Sequence, residues 1–249
     1  MKYLVIMAAM AYAATSAPMA RAQDYVFQGF ATADAMNQMH AAMRDNMMEP
    51  PSQARAPSRG AAAASATAPE HRATVQTTYR SSSTVSTRVR AQFAEFIERT
   101  SGREAAERAR SAFQGGDPIA SWAGIVRQDG LRTGDLADAM AAYWILNWIM
   151  ANQGDNNRTQ ALAVRDQVRG VIGGSPAVAR LGDAGRQEMA EVLMLNFLVQ
   201  QATYVDAMQR GDQAMMRRLG DAAVARFRNE MGVDLRRLQL TDAGLVSAS

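Results

Sequence analysis

The side chains best suited to chemistry in this sequence are Met36, Met39, His40, Met43 and Met47. At about 3.6 residues per turn they fall on one helical face. Thioethers and an imidazole are soft ligands that suit Cu(I), which makes a periplasmic copper-binding protein one reading. The other reading is mechanical. Methionine is an adaptable apolar residue, the chain has 17 of them, and the same spacing docks an amphipathic helix on a groove or a partner. Docking is the preferred reading, so no metal and no cofactor is expected.

Carboxylates come next. Glu95 and Glu98, Asp135 and Asp138, and Glu188 and Glu191 are each spaced three apart. Two carboxylates across a cleft can cleave a glycosidic bond, so a cell-wall hydrolase is a second alternative. Acids on one helix, however, ordinarily form a solvated face and define no cleft. Other catalytic classes lack their residues. His40 and His71 are the only histidines and both precede the folded domain, which disfavours a Ser-His-Asp triad, a His-ligated zinc and a di-iron site. There is no cysteine and no phosphate-binding glycine loop. Trp122, Trp144 and Trp148 with Tyr143 could stack a ligand, but aromatics at helical spacing among Ile and Met are more often core.

The elements that must position these groups are helical. Residues 139–151 are apolar except for Asn147, and residues 192–199 are apolar except for Asn196. A helix apolar all round must be surrounded by others. A buried amide left unsatisfied costs about 1–3 kcal/mol, so Asn147 and Asn196 must bond to each other, to backbone carbonyls or to water. They could line a pocket. Fixing the register of the two helices, as a single polar core residue does in coiled coils, is preferred.

Caps and breaks divide the rest: Ser101 with Glu104 as a capping box, Asp117-Pro118, a turn at 152–157, Ser175-Pro176, Asp183, Gly211-Asp212 and Gly232. The fold class expected is all-α, a single bundle of about seven helices over residues 86–245. The tail after Gly232 reads as a helical turn and an extended strip, with no strand pair long enough for a sheet.

Residues 1–22 read as a signal peptide, with Lys2 before an apolar run and Ala20-Arg21-Ala22 as the cleavage signal. Residues 23–48 form the Met-rich segment, in which Thr32 is the expected N-cap. Residues 49–85, with paired prolines and an alanine run, read as a disordered tether. Within it, residues 74–79 favour a strand but have no evident partner. Arginine exceeds acids in the tether, whereas the two nearly balance from Ala91 onward. The basic charge therefore sits outside the bundle, which argues against nucleic acid as a partner. No apolar run is long enough for a transmembrane segment. The expected location is the periplasm or the secreted space, after cleavage near Ala22.

Several short motifs carry a resemblance. They are Tyr143-Trp144-x-x-Asn147-Trp148, Gln187-x-x-Ala190-Glu191, Gly232-Val233-Asp234-Leu235 and Leu240-Thr241-x-x-Gly244. Together they resemble a family of exported bacterial helical proteins catalogued only as a domain of unknown function, over roughly residues 93–245. The resemblance implies an all-α domain and export, and it transfers no catalytic residue. The function expected is thus a non-enzymatic interaction or structural module of the cell envelope. Its partner would be an unknown envelope or secreted protein, and the Met-striped helix would dock on the bundle or on that partner.

Overall fold

The computed structural model of the chain describes residues 32–48 and 76–248. Residues 1–22, read above as a signal peptide, His71 and most of residues 49–85, read as a tether, lie outside the described residues. The fold is all-α, with nine α-helices and one short β-hairpin among the described residues. Its centre is α5 (Leu136–Asn152) packed against α8 (Asp183–Gln209), the two segments that are apolar all round in the sequence. Buried residues occupy every side of both helices, Ala139, Met140 and Trp144 on one, Met189, Leu193 and Met194 on the other.

Local chemistry sets the helix ends. Asp117 accepts from the Ile119 N–H to start α4 (Pro118–Val126), with a proline at its first turn. Asp135 does the same for α5 through the Ala137 N–H. A reciprocal capping box of Asn157 and Gln160 starts α6 (Arg158–Gly173), and Ser175 caps the one-turn α7 (Pro176–Ala179). Asp212 opens α9 (Gln213–Met231), which ends on Gly232 in the left-handed conformation. The expected Ser101–Glu104 box does not form. α2 (Ser83–Ser101) runs on through Ser101, and Gly102 (φ 87°) makes the turn into α3 (Arg103–Gly115) without a side-chain cap. Asp183 likewise lies inside α8, whose N-cap is Gly182.

Three further expectations need correction. The chain is already packed well before residue 86: Thr77, Tyr79 and Val85 are buried. The extended run there pairs not with a strand but with the loop entering α5. The Tyr79 N–H donates to the Gly134 carbonyl (2.9 Å) and the Leu136 N–H to the Thr77 carbonyl (3.0 Å), which satisfies backbone groups of both segments. The tail forms a hairpin. A 3-10 turn at Leu235–Arg237 leads into β1 (Leu238–Thr241), which pairs antiparallel with β2 (Gly244–Ser247). Two strands alone are marginal. These are held by side chains from the helices: Trp148 Nε1 donates to the Leu238 carbonyl (2.9 Å) and Gln167 Nε2 to the Leu245 carbonyl (2.9 Å).

The backbone of α5 lies directly against α9 at Gly220. A Cβ there would stand 2.5 Å from the Met150 carbonyl oxygen. Backbone cannot yield as a side chain does, so Gly220→Ala is expected to lower stability by about 1–3 kcal/mol despite alanine's better helix propensity. Urea denaturation checks this, and an unchanged midpoint would mean that the helices separate without cost.

Candidate functional site

The Met-rich segment is α1 (Ala33–Met48), and it is seated on the bundle. Met36, Met39, Met43, Met47 and His40 are all buried, and the helix lies against α6, α7, α9 and β2. His40 meets the edge of Trp144, with ring centroids 6.1 Å apart. Burial lowers its pKa from 6.5 to about 3, because an imidazolium there would lose its hydration. Polar bonds hold the ends of the helix. Ser247 Oγ donates to the Met47 carbonyl (3.1 Å), and Gln167 Nε2 to Asn46 (3.0 Å). Thr32 Oγ1 donates to Glu188 Oε1 (3.1 Å). The face read as a docking stripe is therefore a packing face within this chain, and its thioethers lie in the core.

The acids of α5 and α8 converge, which their spacing along each helix did not reveal. Burial pushes the pKa of the Tyr79 hydroxyl up, and the charges of Glu191, Asp135 and Asp138 push it the same way. All four residues are buried. Ser86 Oγ and Gln187 Nε2 donate to Glu191 Oε1 at 2.7 and 2.8 Å, and Arg88 pairs with Glu188 at 3.0 Å. Arg169 pairs with Asp135. Asp138 is different. It has no accessible surface, its two oxygens accept no hydrogen bond among the described residues, and Arg169 and Arg165 stand 3.8 and 4.0 Å away. Burial, reinforced by the charge of Asp135, raises its pKa to about 6 against the pull of Arg169, Arg165 and Arg132. Glu188 and Glu191 tie the start of α2 to α8, and Asp135 ties α6 to the start of α5. Glu95 and Glu98 do not join them: Glu98 lies on α2 and pairs with Arg110 of α3.

Asn147 and Asn196 bond within their own helices, Asn147 Nδ2 to the Tyr143 carbonyl (2.8 Å) and Asn196 Nδ2 to the Val192 carbonyl (2.9 Å). Asn147 does more. Its Oδ1 accepts from Arg226, a guanidinium only 1% exposed, at 2.8 Å, and so links α5 to α9. Asn147→Leu is expected to fold and to lose about 1.5–3 kcal/mol, the worth of a hydrogen bond to a charged group. Chemical denaturation measures it, and a loss below about 0.5 kcal/mol would show that Arg226 does not rely on this bond. The aromatics form core: Trp144 meets Phe227 edge-on at 4.8 Å, Tyr143 stacks on it at 5.9 Å, and Trp122 meets Phe197 at 6.4 Å.

A cavity of about 480 Å³ opens between α5 and α8. Ile145 and Ile149 on one helix and Phe197 and Tyr204 on the other form its apolar walls, each pair spaced one or two turns along a helix face. Met208, 44% exposed, also lines it. The polar lining includes Asp129, in the turn after α4, Gln153, Asp155 and Asn156, after α5, and Gln201 and Gln209 on α8. Asn156 fixes both acids, donating from Nδ2 to Asp129 Oδ1 (3.0 Å) and from its backbone N–H to Asp155 Oδ1 (2.9 Å). Volume and lining suit a small molecule rather than a metal. Sequence reasoning missed Asp129, Asp155 and Gln201. Gln201 carried the one usable signal, a polar residue one turn beyond Phe197 on a largely apolar helix.

Among the described residues no cluster of His, Asp or Glu could hold a metal ion, and no helix is long and apolar enough to cross a membrane. No curated protein and no solved structure matches the chain. The chain belongs to the family of unknown function DUF6683, which matches it over residues 1–248 and so takes in the Met-rich segment that the motif resemblance left outside.

Proposed function

We propose that this protein is a non-enzymatic binding module that works outside the cytoplasm and holds a small, largely apolar ligand between α5 and α8. The observation that carries this reading is the cavity of about 480 Å³, walled by Ile145, Ile149, Phe197 and Tyr204. Pockets of roughly 300–1,000 Å³ with apolar walls and a few placed polar groups are the usual form of a small-molecule site. The export part rests on the sequence of residues 1–22 alone. The interacting surface is then a pocket in the bundle, while the Met stripe serves the core.

Titration with N-phenyl-1-naphthylamine, a neutral apolar fluorophore, tests it. One saturable site is expected, with fluorescence rising as the dye leaves water. Val205→Trp, which fills a partly exposed wall position, is expected to weaken binding at least ten-fold while the thermal midpoint holds. Absence of binding, or binding that the filled variant keeps, would remove the pocket as the site.

A further inference from the structure

We infer that the pocket selects a cationic amphiphile, an aliphatic chain ending in a primary ammonium, an inference that rests on the pocket being a binding site. Three observations on the lining point the same way. First, among the described residues the charged side chains of the lining are Asp129 and Asp155, with no Arg or Lys. Two carboxylates facing a low-dielectric, apolar wall focus a negative potential where a ligand enters.

Second, the two acids are held in place before anything binds. The Asn156 amide and backbone N–H bridge them, so little side-chain entropy is left to lose when a cation arrives. Asp155 is itself exposed and makes no ion pair with any described residue. Third, Gln201 is 94% buried in the wall, and its Oε1 accepts no hydrogen bond among the described residues. An acceptor stripped of water and left without a donor is costly, and a ligand N–H removes that cost. An anionic amphiphile meets the opposite conditions on each count: repulsion by Asp129 and Asp155, and no proton for Gln201. A neutral apolar molecule gains the walls only.

Isothermal titration with n-octylamine, 1-octanol and octanoate at pH 7.5, on the whole protein and below micellar concentrations, separates these cases. The three probes share a tail and differ in head. The amine is expected to bind at least ten-fold tighter than the alcohol and octanoate more weakly than either. Asp155→Asn, which keeps an acceptor for the Asn156 N–H, is expected to reduce amine affinity about five-fold and leave octanol unchanged. Gln201→Leu is expected to reduce amine affinity as well. Equal affinities for amine and alcohol, or an amine affinity indifferent to Asp155→Asn, would overturn the cation selectivity while the apolar pocket stands. Failure of all three probes to bind would overturn the pocket itself, and the selectivity with it.

Discussion

Replacing Met39 by Asp is expected to detach α1 from the bundle. Met39 has no accessible surface, and neighbours on the same face, Met36 and Met43, are buried to the same degree. Even Met39→Ala would cost about 2–5 kcal/mol, the range for truncating a buried large side chain. A carboxylate at that position must be desolvated without a partner, and a chain does better by releasing the helix than by burying the charge. Release exposes the apolar groove formed by α6, α7, α9 and β2. The expected results are a large fall in the thermal midpoint and rapid tryptic cleavage after Arg44, whose side chain in the docked state donates to the Met231 carbonyl. Gln38→Asp is the control: it adds the same charge one residue away, on the exposed face, and should change stability by less than about 0.5 kcal/mol. If both substitutions were equally mild, the Met stripe would not be a packing face and its thioethers would be open to a ligand.

This dependence also shows how far the sequence could be read. The Met stripe was legible because amphipathic periodicity is a local signal, and so were the all-round apolarity of α5 and α8, the cap at Asp117 and the breaks at 152–157 and Gly211-Asp212. What the stripe docks on was not, since the groove is assembled from four elements far from α1 in the chain. The hairpin escaped for the same reason. Its strands are four residues each, and their outer hydrogen bonds go to Trp148 and Gln167, which no strand pattern encodes. The acids at 135, 138, 188 and 191 were recognised as pairs along helices. The gathering of Asp135, Asp138 and Glu191 near Tyr79 depends on a stretch of low apolarity that pairs with the loop before α5. A cavity is harder still, because it forms where two helix faces fail to meet, and periodicity describes only the faces.

Two buried titratable groups act in opposite directions as the pH falls, and each masks the other. His40 has its pKa lowered to about 3, so the folded state prefers the neutral imidazole. Its contribution is intact above pH 6.5, the unfolded value, and is lost as the pH falls toward 3, at about 1.4 kcal/mol per pH unit. Asp138 has its pKa raised from 3.8 to about 6, so the folded state prefers the protonated acid. It penalises folding above pH 6 and returns about 3 kcal/mol as the pH falls through the interval down to 3.8. Between about pH 6 and pH 4 the two slopes nearly cancel, and single substitutions expose them. In Asp138→Asn the compensating gain is absent, so its stability relative to wild type should drop by about 3 kcal/mol from pH 7 to pH 4. In His40→Leu the loss is absent, so its stability relative to wild type should rise by about 3 kcal/mol over the same range. The double variant should run parallel to wild type between pH 6 and pH 4. Denaturation series at each pH would measure the differences directly, so that every other carboxylate in the chain, Glu98 and Asp234 included, subtracts out. Single-variant curves parallel to wild type would mean that His40 and Asp138 reach water in the folded state, and that α1 and the acids near Tyr79 are less tightly closed than their burial indicates.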